Sequence, residues 1–187
     1  MGKIESRFSN LMFSSILVGF IGVIVGLLMA LLKFLSVSQI VLMFGALVLI
    51  NGFFYIIRYL YDGLGKKVFA VDLIFGVATI ILGAFMMTNY LNPVKAITLY
   101  FAIWMLILFC NRLYYGIKFT KKHEPINVLI LFIAFIYLIM GIVALINPFK
   151  FMLVTKFVGV FVIGSCGLDI LVALLFKKRA KSILEMF

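Results

Sequence analysis

Long apolar runs alternate with short polar breaks from one end of the chain to the other. The runs cover roughly 11–33, 39–61, 68–90, 94–117, 126–147 and 152–176. The breaks fall at Lys33 to Ser38, Asp62 to Lys67, Leu91 to Pro93, Lys118 to Pro125 and Pro148 to Phe151. Each run is close to the ~20 residues that a helix needs to cross a bilayer. In hydrocarbon the backbone must satisfy its own polar groups, which leaves helices or a closed barrel. Barrel strands are about ten residues long and alternate strictly. These runs are twice that length and apolar on every side. They predict an all-α membrane protein with six transmembrane helices. No break is long enough to hold a second domain, so residues 1–187 read as a single integral membrane domain.

Two of the breaks share a dipeptide, Asn92-Pro93 and Asn147-Pro148. Proline has no amide hydrogen to donate and disfavours helix in the residue before it. It suits the first turn of a helix, with asparagine as the cap. Asn92, Pro93, Asn147 and Pro148 therefore read as corners between helices. A substrate-binding broken helix would need the break at mid-membrane depth, and these lie at the ends of full-length runs. Around the corners the chain repeats itself. Gly26 and Gly45 are 19 residues apart, as are Gly83 and Ala102, and Gly141 and Gly159 are 18 apart. The repeat predicts three helical hairpins, over approximately 11–61, 68–117 and 126–176, with a basic tail at 177–187. The first helix of each should pair with the second. The first hairpin turns at "KFLSVSQ" and has no Asn-Pro.

Composition agrees with lipid as the solvent: 66% of residues are hydrophobic and 12% charged, with a mean hydropathy of +1.30. A soluble domain is about half apolar and about a quarter charged. The net charge is +11, but no soluble basic domain exists to carry nucleic-acid binding. Its distribution sets orientation. Lys33, Lys95, Lys150 and Lys156 belong to one side, and the other thirteen of the 17 Lys and Arg to the opposite side. The positive-inside rule then places both termini in the cytoplasm. The stretch from Leu11 to about Leu32 exceeds a signal-peptide core and has no A-x-A-like site after it, so it reads as a retained helix.

The glycines at Gly26, Gly83 and Gly141, the corners at Pro93 and Pro148, and the small-residue stretches "FGALVLING" and "VGVFVIGSCG" resemble the HdeD-like acid-resistance membrane proteins. The resemblance runs from about Ser14 to Phe176, and the third repeat matches best. The first corner, lacking proline, departs from the pattern. The resemblance implies a multi-pass protein of the bacterial plasma (inner) membrane with a role in acid or envelope stress. It brings no catalytic motif.

Ionisable groups inside the runs are where chemistry would sit. Counting ~1.5 Å per residue, Asp72 lies about 6 Å, Arg112 about 8 Å and Asp169 about 10 Å from the inner end of their helices. Asn51, Arg58 and Asn111 are on the same side. Asn111 and Asp169 are each 28 residues after their repeat's glycine, which predicts equivalent positions. Asp72 is also within reach of Lys66 or Lys67. The six polar residues read first as an ion-pair belt that fixes helix register. The alternative is a small proton- or ion-coupled transporter or channel in which Asp72 or Asp169 titrates.

The remaining features point to packing and topology. Gly22-x-x-x-Gly26 lets helices approach closely, within the bundle or in a homo-oligomer. Cys110 and Cys166 read as buried thiols. His123 reads as a solvated loop residue, and "FKKRAKS" as a topology anchor beside anionic lipid. Trp104 belongs to the same run as Tyr100, Tyr114 and Tyr115, and the tyrosines near its ends read as interface residues. With no HExxH, GxSxG or Walker loop and only one histidine, the chain reads as a non-enzyme without cofactor or metal. Its partners are the bilayer and, if any, another copy or another membrane protein.

Overall fold

In a computed structural model, the structure describes residues 2–31, 36–62, 71–88, 93–120, 126–146 and 151–178. These form six helices: α1 (Gly2–Leu31), α2 (Val37–Asp62), α3 (Asp72–Thr88), α4 (Pro93–Thr120), α5 (Ile126–Ile146) and α6 (Phe151–Lys178). There is no strand among the described residues. Among the described residues, four stretches are long and apolar enough to cross a membrane: Ser38–Leu60, Ile97–Lys118, Asn127–Ile146 and Val158–Leu175. Ser15–Leu31 and Asp72–Thr88 are shorter apolar helices. Pro93 opens α4, where its fixed φ and missing amide hydrogen are harmless. Asn92, Asn147, Pro148, Lys66, Lys67, His123 and the tail beyond Lys178 lie outside the described residues. The proline-free corner ends in a capping box. The Ser36 amide donates to Gln39 Oε1 at 2.9 Å, and the Gln39 amide donates to Ser36 Oγ at 3.3 Å.

The expected pairing of first with second, third with fourth and fifth with sixth helix is corrected by the packing. The most extensive interfaces are α1 with α6, α2 with α3 and α4 with α5. Glycine explains the choice, because small residues let backbones approach. A methyl group added at Gly26 would sit 2.9 Å from the Gly159 carbonyl oxygen, and one at Gly159 would sit 2.9 Å from the Gly26 oxygen. Gly52 and Gly76 have the same reciprocal relation at 3.0 Å, and Gly83 approaches the Gly45 oxygen to 3.0 Å. Gly141 meets Ala102 with more room, at 3.5 Å. The packing is therefore cyclic. Gly26, Gly83 and Gly141 each face a small residue from a different hairpin of the sequence, respectively Gly159, Gly45 and Ala102. A short corner keeps two helix ends close, but it does not supply the small residues that a long seam needs.

Within this ring α4 touches both α2 and α6. The residues just before the small contacts, Phe44, Phe101 and Val158, are buried, as are Val48, Met105 and Val162 three residues after them. Phe44 meets Trp104 edge-on at 5.1 Å and Phe101 at 5.9 Å, and Phe101 meets Phe161 at 5.9 Å. This aromatic and aliphatic layer ties α2, α4 and α6 together. The outer surface is apolar too. Phe20, Phe53, Ile74, Ile81, Phe132 and Ile139 are all exposed, an exterior that suits lipid and not water.

Candidate functional site

The polar residues collect near the end of the bundle where α2 finishes and α3 begins. Asp72 is in the first turn of α3 and completely buried. Its carboxylate benefits there from the positive end of the helix dipole. Arg58 of α2 donates from Nε to Asp72 Oδ2 at 2.7 Å, and its Nη2 lies 2.5 Å from the same oxygen. The other oxygen, Oδ1, accepts from Tyr115 at 2.9 Å and Asn111 at 3.3 Å, both on α4. Arg58 also lies 4.8 Å from the centre of the Tyr55 ring, a cation–π contact.

The second centre lies between α4, α5 and α6. Arg112 donates from Nη2 to Asp169 Oδ1. Tyr137 of α5 reaches the same oxygen at 3.2 Å and the Ser165 carbonyl at 3.1 Å, so its one proton is shared between two acceptors. Ser165 donates back to the Val162 carbonyl at 3.0 Å. Two carboxylates and two guanidiniums thus form two pairs, each joining different helices: Arg58–Asp72 is buried, and Arg112–Asp169 is partly buried. Breaking such a pair strands a charge away from water, which is far costlier than losing a surface contact.

A cavity of about 50 Å³ adjoins the second pair. Its wall includes Ser15, Asn51, Tyr55, Arg58, Trp104, Arg112, Tyr115 and Asp169. Of the residues singled out from the sequence, Asp72, Asn111 and Arg58 meet at one centre, and Arg112 and Asp169 at the other. Asn51 lies on the cavity wall and in neither pair. Gly22 faces Cys166 and Leu47, and Gly26 faces Gly159, so this glycine motif is occupied inside the bundle.

Three expectations are corrected. Asn111 and Asp169 are not equivalent, since the third corner is one residue shorter. Counted from the small contacts Gly45, Ala102 and Gly159, the residues ten further on are Tyr55, Arg112 and Asp169. All three line the cavity. Tyr115 is not an interface residue: it is buried against Asp72. Cys110 is exposed, while Cys166 is buried. The residues of these centres and the cavity wall that the sequence does not assign to the polar cluster are Tyr55, Tyr115 and Tyr137. The ten- and thirteen-residue offsets from the small contacts would have found the first two.

Comparison with known proteins gives one family. The model of the "Short repeat of unknown function (DUF308)" matches residues 17–88 and again 74–146. The two matches begin 57 residues apart, the same spacing as Gly26 to Gly83. The two matches overlap over residues 74–88, which is most of α3. No curated protein and no solved structure gave a significant match.

Proposed function

We propose a function for a chain that belongs to the DUF308 short-repeat family: a non-enzymatic plasma-membrane protein of the HdeD-like kind, acting in acid or envelope stress as a structural or interaction component. It crosses the membrane six times as three repeated units, with both termini in the cytoplasm. The glycines and proline corners support the HdeD-like affinity, and the skewed Lys and Arg distribution supports the orientation.

The observation that carries the structural reading is that each of the two carboxylates inside the bundle is tied to an arginine on another helix. The ties hold α2, α3, α4, α5 and α6 in one register at the polar end. The runner-up, a small proton- or ion-coupled transporter or channel, draws on the cavity beside Arg112 and Asp169. Conduction needs a wet path, and the Phe44, Phe101 and Trp104 layer stands across the bundle between that cavity and the other end.

Paired replacement tests the clamp. Arg112→Met and Asp169→Leu are made singly and together in the full chain, and unfolding is followed in mixed micelles. Each single variant should lose on the order of 3–5 kcal/mol, and the double should recover most of it. Losses that simply add would remove the pair from its structural role.

A further inference from the structure

The cavity exists because one seam of the ring lacks what another has. Asp72 lies on α3 eleven residues before Gly83, and Ser15 lies on α1 eleven residues before Gly26. Arg58 on α2 and Tyr115 on α4 are thirteen residues after their small contacts, and Val172 on α6 is thirteen after Gly159. The α2–α3 seam is therefore filled by the Asp72–Arg58 pair. The α1–α6 seam carries serine and valine at the same places, and both line the cavity.

The wall is chemically unfinished. Arg112 Nε and Trp104 Nε1 are buried donors without a hydrogen-bond partner among the described residues. Arg112 has only 7% of its side chain exposed. Both hydrogen bonds that Asp169 accepts from the described residues fall on Oδ1, and its side chain is 22% exposed, so Oδ2 faces no donor among them. A donor-rich side thus stands beside an acceptor. The four charges nearby, Arg58, Arg112, Asp72 and Asp169, sum to zero. An added ion would bring an uncompensated charge into this setting. At about 50 Å³ the space takes roughly three waters, so the part of an occupant held between these walls has only a few heavy atoms.

We propose that this cavity is a binding site for one small neutral polar solute with a hydrogen-bond donor beside an acceptor, the grouping found in a primary amide or an undissociated carboxylic acid. The solute's carbonyl oxygen accepts from Arg112, and its N–H or O–H donates to Asp169. Binding of this kind requires no path through the apolar layer and does not depend on the proposed cellular role.

The test uses the full chain in lipid nanodiscs and acetamide as the probe, with saturation-transfer NMR as the readout. Acetate and N,N-dimethylacetamide are the controls for charge and for the donor. Ser15→Leu fills the cavity from α1, and Ala173→Leu fills it from α6; neither replaces a member of an ion pair. Gel filtration and near-UV circular dichroism establish that each variant is folded, and Ala173→Leu carries the comparison if Ser15→Leu is not. Saturable acetamide binding is expected, with a Kd of about 1 mM for so few atoms. It should weaken at least about tenfold in the filled variants, and both controls should bind at least about tenfold more weakly than acetamide. No saturable acetamide signal, an unchanged signal in a folded filled variant, or equal binding of acetate would overturn the site.

Discussion

Asp72 on α3 accepts from Arg58 on α2 and from Asn111 and Tyr115 on α4. Asp72→Asn keeps the shape and removes the charge, so Arg58 is left buried without its counter-ion. A loss on the order of 3–5 kcal/mol is expected, read as an earlier midpoint in a denaturing-detergent titration. Tyr115→Phe removes one hydrogen bond from the same carboxylate and keeps the ring packed. Its loss should be smaller, about 1 kcal/mol, in the same titration. The ionisable members of the two centres are legible in the sequence, because a carboxylate or guanidinium inside an apolar run stands out. Their tyrosine partners are not. A tyrosine near the end of a run reads equally well as an interface anchor, and Tyr137 has no local signal that Asp169 lies across from it. Spacing misleads in one place: the third corner's missing residue moves Asp169 from the register of Asn111 to that of Arg112.

Helix number and extent follow closely from run length, and α2, α4, α5 and α6 begin and end within about three residues of the expected limits. Which helices pair does not follow, since corner length and interface chemistry are separate causes. The glycine seams decide it, and they differ in tightness. A β-carbon at Gly159 would lie 2.7 Å from the Ala30 backbone nitrogen, and one at Gly141 has nothing closer than 3.5 Å. Gly159→Ala should therefore force α1 and α6 apart and destabilise the fold, while Gly141→Ala should be close to neutral. Thermal inactivation of the two variants side by side, followed as loss of the monodisperse species, checks this. Equal effects would mean that the α1–α6 seam yields as easily as the α4–α5 contact.

The molecule as a whole is a ring of helix pairs with an apolar exterior, an apolar layer across its middle, and polar pairs near one end. Composition alone makes the membrane setting legible. The closed ring is not, because it depends on α1 meeting α6 across the full length of the sequence. With the polar centres acting as clamps and the aromatic layer as a seal, the intact protein should not conduct. Proton and potassium flux into proteoliposomes decides this, at neutral and mildly acidic pH, with the unmodified chain beside an Asp72→Asn/Asp169→Asn double variant. Flux no greater than in protein-free liposomes is expected for both proteins. Flux that requires the unmodified chain and disappears in a folded double variant would contradict it, and would make the clamp a conduit.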